Sequence, residues 1–253
     1  MGLFGKMFEK KICSVCSGEI GLLGNRKLDD GNLCKNCSAK LSPWFTGRRR
    51  STVADIKEQL EYRAKNRDAL AEFNPTLTLG RVMKVIIDED AGKFVVTRAS
   101  RLSEENPDVI AFSQVTGVDI DIDEDRIEVM KEKSDGTEVS YNPPKFTFTY
   151  GIKIIIHVNH PYFDTMDFDL TDSDIEINPD RPLPISSKPD PKECLEYREN
   201  LKIAKKIRDT LTNARAQARE TPAVKTAVIC RCCGATTVPD ENGCCEYCGG
   251  AAE

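Results

Sequence analysis

Cys13-Ser-Val-Cys16 and Cys34-Lys-Asn-Cys37 stand seventeen residues apart near the start of the chain. Cys230-Arg-Cys-Cys233 and Cys245-Glu-Tyr-Cys248 stand eleven apart near its end. Two residues between thiolates let a tight turn aim both sulfurs at one ion, and two such turns complete a tetrahedron with metal–sulfur distances near roughly 2.3 Å. Gly18, Gly234 and Gly249 follow three of the pairs, where the turn can use a positive φ. The spacing therefore predicts two structural zinc ions, one on Cys13, Cys16, Cys34 and Cys37 and one on Cys230, Cys233, Cys245 and Cys248. Metal binding of this kind contributes on the order of 10 kcal/mol, enough to fold a segment with almost no core. Four thiolates leave no coordination position for water, so neither site is expected to be catalytic. Iron held by four thiolates satisfies the same spacing. Cys232 and Cys244 are spare thiols that can each replace a neighbouring ligand in the second site. Cys194, alone between the clusters, reads as a small apolar side chain on a helix.

The remaining composition fits this reading. Eleven cysteines in 253 residues, with four in the first 37 and six in the last 24, are too unevenly placed for a disulfide scaffold. With no signal-peptide pattern and no run near the roughly 20 apolar residues that cross a bilayer, a reducing cytoplasm is expected. The net charge of −5 argues against nucleic-acid binding by the whole chain, though not by a local basic patch.

Between the clusters the pattern changes twice. Residues 1–46 form the first zinc ribbon. Thr52 is a hydroxyl N-cap with Asp55 in the first turn, and Val53, Ile56, Leu60 and Ala64 share a face, which predicts a connecting helix over 51–74. Asn74-Pro75 ends it. Residues 76–178 read as about seven strands with short turns, among them Val85-Ile-Ile87, Phe94-Val-Val96, the alternating Val118-Asp-Ile-Asp-Ile122, and Ile152 to Val158. Strands without long intervening helices imply an antiparallel barrel or sandwich. Residues 179–189 are a proline-rich linker. Asp190-Pro191 then opens a helix over 190–219, whose stripe of Leu201, Ala204, Ile207, Leu211 and Ala214 can close one end of the barrel. Residues 228–253 are the second ribbon. The fold class is α+β, with two zinc ribbons flanking an antiparallel β domain.

Gly21-Leu-Leu-Gly-Asn-Arg-Lys-Leu28, Leu33-Cys-Lys-Asn-Cys37 and Lys40-Leu-Ser-Pro-Trp-Phe45 resemble an uncharacterised bacterial family whose members open on a zinc-ribbon domain of unknown function. Such chains often end in a second ribbon like that from Cys233 to Gly249. The middle, with Val85 to Asp90, Lys93 to Val96, Val109 to Val115 and Phe168-Asp-Leu170, is similar to bacterial pleckstrin-homology-like domains. That resemblance implies a seven-stranded barrel capped by a C-terminal helix. It leaves the ligand open.

Other chemistry is sparse. His157 and His160 are the only histidines, one in an apolar strand and one before a turn, with no recognisable nucleophile elbow. The acidic runs Asp88-Glu-Asp90 and Asp119 to Asp125 lack the EF-hand pattern and read as turn residues and a solvated strand face. Arg48, Arg49 and Arg50 beside Trp44 form a candidate contact for phosphate and a stacked base. The plainer reading has Trp44 and Phe45 packing the ribbon while the arginines face water. The expectation is a non-enzymatic interaction protein with a protein partner. One alternative is a nucleic-acid binder using Trp44 and Arg48–Arg50. Another is a membrane-surface protein using residues 1–11, where Leu3, Phe4, Met7 and Phe8 fall on one side of a short helix with Lys6, Lys10 and Lys11 nearby.

Overall fold

A computed structural model describes residues 11–177, 183–184, 187–220, 228–238 and 244–250. The membrane contact read at residues 1–11 lies almost wholly outside the described residues.

The first module contains two short hairpins and one helical turn. Strands β1 (Lys11–Ile12) and β2 (Glu19–Ile20) pair, as do β3 (Arg26–Lys27) and β4 (Asn32–Leu33), and α1 (Lys35–Ser38) follows. Its small core of Ile20, Leu28, Leu33 and Leu41 is completed by Ile56 of α2 (Val53–Ala71). The N-terminus of α2 is capped as the sequence predicts. Thr52 Oγ1 accepts from the Asp55 N–H, and Asp55 Oδ2 accepts from the Thr52 N–H. The first module adds a second cap, because Asp30 Oδ1 accepts from the Val53 N–H at 2.7 Å.

The buried face of α2 differs from the predicted stripe. Ile56, Gln59, Arg63, Asn66 and Leu70 are buried, whereas Leu60 is half-buried and Ala64 exposed. The helix is a wedge rather than a connector. Its first turns complete the metal module, and its last turn packs Leu70, with Phe73, on Ile86 and Val95.

The middle region is two antiparallel sheets. One is four-stranded, in the order β5 (Leu77–Leu79), β6 (Lys84–Asp88), β7 (Lys93–Thr97), β8 (Ile110–Ala111), with the short helix α3 (Leu102–Glu105) between β7 and β8. Its inner face carries Val85, Ile87, Phe94 and Val96, and its outer face carries Ile86 and Val95 under α2. Burial on both faces explains why these strands read as unbroken apolar runs instead of alternating.

The second sheet is built on β10 (Glu138–His160). Strand β9 (Val115–Glu132) pairs along one edge, and β11 (Phe163–Asp169), β12 (Ile175–Ile177) and β13 (Leu183–Pro184) follow one another along the other. Five segments that read as separate strands between Val118 and Val158 are thus two long strands of one ribbon. The ladder continues through two register shifts, one between Ser140 and Lys145, where Pro143 and Pro144 offer no N–H, and one between His157 and Val158. At roughly 3.3 Å per residue, β9 spans about 60 Å, and from Asp121 onward it is largely exposed.

Of the barrel and the sandwich that the strand pattern allows, the described residues show two layers and no closed barrel. Among the described residues no ladder joins the two sheets; they share one core as packed layers. Within the segment read as a linker, Leu183–Pro184 adds to the second sheet against Lys145 and Phe146. A short 3-10 turn at Pro191–Glu193, capped by Asp190, leads into α4 (Leu195–Glu220). Tyr197, Ala204, Ile207 and Leu211 of α4 enter the shared core, and the Tyr197 ring meets Tyr150 edge-on at 5.4 Å. The terminal ribbon pairs β14 (Val228–Ile229) with β15 (Thr236–Thr237). None of the described helices is long and apolar enough to cross a membrane.

Candidate metal centres

Three of the four cysteine pairs sit on the same backbone turn. At Cys13 the N–H of Ser17 donates to the Cys13 carbonyl, while the Cys13 N–H donates to the Gly18 carbonyl, both at 2.9 Å. The same two bonds recur at Cys230, with Gly234 and Ala235, and at Cys245, with Gly249 and Gly250. The fourth residue after the first cysteine must take a positive φ for the chain to fold back in this way. Gly234 and Gly249 do so at +72° and +69°. In the first module that residue is Ser17, at +58°, and not Gly18 as the glycine pattern predicts.

The pair Cys34–Cys37 is built differently. Cys34 is the N-cap of α1, and its sulfur accepts from the Cys37 N–H at 3.3 Å. The first cluster therefore combines one turn with one helix start, and the second combines two turns.

Within each cluster the four sulfurs lie within 4.8 Å of one another. The Cys16–Cys34 separation is 3.7 Å, Cys230–Cys248 is 3.6 Å and Cys233–Cys245 is 3.7 Å. A tetrahedron with metal–sulfur bonds of about 2.3 Å has edges of roughly 3.8 Å, whereas a disulfide needs about 2.05 Å. The sulfurs are thus spaced for one four-coordinate ion per cluster. The second group is Cys230, Cys233, Cys245 and Cys248; neither Cys232 nor Cys244 enters it. Cys194, at the start of α4, is partly buried against the main core, as a small apolar side chain would be.

Backbone N–H groups favour the anionic form at Cys13 and Cys245. Burial acts to raise the Cys13 thiol. Hydrogen bonds from the N–H groups of Cys16, Cys34 and Val15 outweigh it and bring the thiol down to about 6. Cys245 is also brought down to about 6, because the N–H groups of Cys248 and Tyr247 outweigh its burial. The partners move the other way: burial and the facing Cys16 and Cys34 sulfurs push Cys37 up. At Cys248 the Gly250 N–H acts to lower the thiol, but the Cys233 and Cys230 sulfurs prevail and push it up to about 12. Each cluster thus gathers thiolate and thiol within contact. A divalent ion resolves that crowding by displacing the remaining protons.

The other candidate residues separate. Trp44 is half-buried against the main core and lines a cleft between the metal module and the first sheet with Pro43, Met83 and Val96. Phe45 packs on the metal module and meets Tyr162 edge-on at 6.4 Å. Arg48 and Arg49 line a different cleft, shared with Arg26 and Lys27, which contains no aromatic ring. Arg50 is exposed.

His157 lies on the outer face of the second sheet, its Nε2 2.9 Å from Asp119 Oδ2. His160 sits among the rings of Tyr62, Tyr162 and Phe163. Burial lowers the His160 pKa, with nearby Asp108 pulling the other way. Asp119, Asp121, Asp123 and Asp125 are all exposed along β9, as a solvated strand face should be. Asp88 is a buried turn residue that accepts from the N–H groups of Asn74 and Ala91.

The sequence did not disclose a buried polar junction that locks the metal module to the sheets. Asp108 is fully buried. Its carboxylate accepts from Ser42 Oγ at 2.7 Å, Tyr62 Oη at 3.0 Å and Arg63 Nη1 at 2.7 Å. Asn66 donates to Asn106 Oδ1 and to the Pro107 carbonyl, and accepts from the Val109 N–H. Asn106 takes a left-handed conformation to end α3. The sequence signal was the polar spacing Gln59, Arg63, Asn66 on α2, which identifies the buried face only once the partner loop is known.

Residues 11–59 match a family described as a domain of unknown function (DUF4428). The match covers the first cysteine cluster and the first turns of α2, including Val53 and Ile56, which pack on that cluster. No curated protein and no solved structure matches the chain.

Proposed function

We propose that this chain is a non-enzymatic zinc-binding interaction protein, in which zinc orders both ends and the two-sheet unit between them presents a surface to a protein partner. The observation that carries the zinc reading is the spacing of four sulfurs at the edges of a tetrahedron, once in each terminal module. The donor count supports a structural role, because four thiolates close the coordination sphere against water and substrate. Zinc is preferred over iron because a closed thiolate site that only staples a fold needs no redox-active ion. Thiolate clusters spaced for a metal ion fit a reducing cytoplasm.

A pleckstrin-homology-like ancestry for residues 76–219 is part of the same reading. Two antiparallel sheets over one core, with the following helix α4 packed on that core, support it. The long β9–β10 ribbon is an elaboration on that plan. The site is tested by elemental analysis of freshly isolated protein, expected to find two zinc ions per chain. The role is tested by affinity capture from native lysate with the zinc-loaded chain and with a chain lacking all eight ligands. A protein retained only by the loaded chain supports the proposal. A nuclease-sensitive eluate, or one indistinguishable between the two baits, refutes it.

A further inference from the structure

The first metal module carries a concentration of positive charge that nothing in its metal chemistry requires. A cleft of about 670 Å³ is lined by Asn25, Arg26, Lys27, Leu28, Asp29, Arg48 and Arg49. Three guanidinium groups and one ammonium face it, opposed by a single carboxylate. Among the described residues none of these four cations has an ion-pair partner. The geometry is held from beneath: Arg48 Nη1 donates to the Lys27 carbonyl at 2.8 Å, and the Asp29 N–H donates to the Ser51 carbonyl at 3.0 Å. Ser51 in turn closes the Gly47–Arg50 turn through its hydroxyl, at 3.1 Å from the Gly47 carbonyl. The strand β3 and that turn are thereby stapled together before any ligand arrives. Burial and the like charges of Arg49 and Arg26 lower the Arg48 pKa, so charge repulsion inside the cleft is part of the folded state.

We propose that this cleft is a binding site for a compact, multiply charged phosphate group of the di- or triphosphate class. Guanidinium groups present planar donor pairs that match phosphate oxygens, and three of them with a lysine balance several negative charges at once. The volume falls within the roughly 300–1,000 Å³ range of small-ligand sites. The absence of any aromatic ring among the lining residues removes the platform on which a base would stack, so the ligand is read through its phosphates. A concave site also suits a compact anion better than a flat membrane or an extended strand. Every lining residue falls within 11–59, so the cleft is a property of the first metal module.

The test is calorimetric titration of the zinc-loaded full chain with inorganic triphosphate at low and physiological salt, with zinc content measured before and after to account for chelation. Saturable binding that weakens with salt is expected. Arg49→Gln and Lys27→Gln should each weaken it about five- to tenfold, since each removes one charge-assisted contact. Arg26 is left intact because it donates to the Leu23 carbonyl. Arg48 is left intact because it holds the Lys27 carbonyl. Asp29→Asn should tighten binding about threefold by removing the opposing charge, a gain that no loss of folding can mimic. The proposal is overturned if triphosphate fails to bind while zinc is retained, or if the three variants bind as the parent does. It is also overturned if a single-stranded oligonucleotide or vesicles of anionic lipid bind with the same variant dependence while triphosphate does not compete.

Discussion

The substitution Asp108→Asn tests the junction on which the whole arrangement of modules depends. Asp108 has no exposed surface and accepts three side-chain hydrogen bonds, from Ser42 in the metal module and from Tyr62 and Arg63 on α2. An asparagine keeps the shape but removes the charge, leaving the Arg63 guanidinium buried without a counter-ion. Its amide nitrogen also brings a donor into a site made of donors. Breaking a buried pair from one side costs about 3–5 kcal/mol. At about 2–4 °C per kcal/mol for a chain of this size, the main unfolding midpoint should fall by about 6–20 °C. Calorimetry or urea titration with zinc in excess measures it. Zinc content should not change, because no ligand is touched, whereas amide exchange should accelerate first in Asn106–Val109 and in α2. Replacing both partners, as Arg63→Met with Asp108→Leu, should recover part of the loss: it removes the stranded charge, while Ser42 Oγ, Tyr62 Oη and the Lys40 and Asn106 carbonyls lose their partners. A loss below about 1 kcal/mol, or a double variant no better than the single one, would refute the reasoning.

Four further outcomes are expected. Gln59 is fully buried and, among the described residues, its amide has no hydrogen-bond partner, so Gln59→Met should raise stability by about 1–2 kcal/mol in the same titration; a loss would mean the amide is satisfied in solution. Ser17→Gly relieves a positive φ that costs a non-glycine residue about 1 kcal/mol, and should strengthen zinc retention against a competing chelator by several-fold, while Gly234→Ala should weaken it at the second site. The pKa of His160 is depressed by burial, so the folded chain binds fewer protons there than the unfolded one. That share of stability is present above the ordinary imidazole pKa of about 6.5 and is lost as pH falls through the lower folded value. His160→Gln should flatten the parent's stability curve in that window, and identical curves would dismiss the effect. Removing zinc with a strong chelator should make both termini protease-sensitive while the two-sheet core, whose packing contains no metal ligand, stays resistant.

Much of the metal chemistry was legible because it is local. A pair of cysteines two residues apart already defines the turn that aims both sulfurs, and doubling the pair defines the tetrahedron. The helix start at Thr52, the Asp190 cap and the stripe from Ala204 to Leu211 were legible for the same reason: caps and periodicity are set by neighbours three and four residues away. Even there the reading slipped where two residue types serve one geometry, as at Ser17, which holds the left-handed position that a following glycine suggested for itself.

What only the tertiary structure decided is which distant elements share a face. Gln59, Arg63 and Asn66 look like a solvated helix surface until the loop from Asn106 to Val109 is laid against them. Arg26 and Lys27 look unrelated to Arg48 and Arg49 until the β3 hairpin and the Gly47 turn are stapled side by side. Five strand signals became two long strands because the breaks at 123–125 and 151 pair straight through the ladder and the one at 142–144 is absorbed as a register shift, which depends on the partner strand rather than on the segment itself. Chain chemistry sets local conformation within a few residues. Pairing across tens of residues is settled by the core both partners bury, and no window along the sequence contains that information.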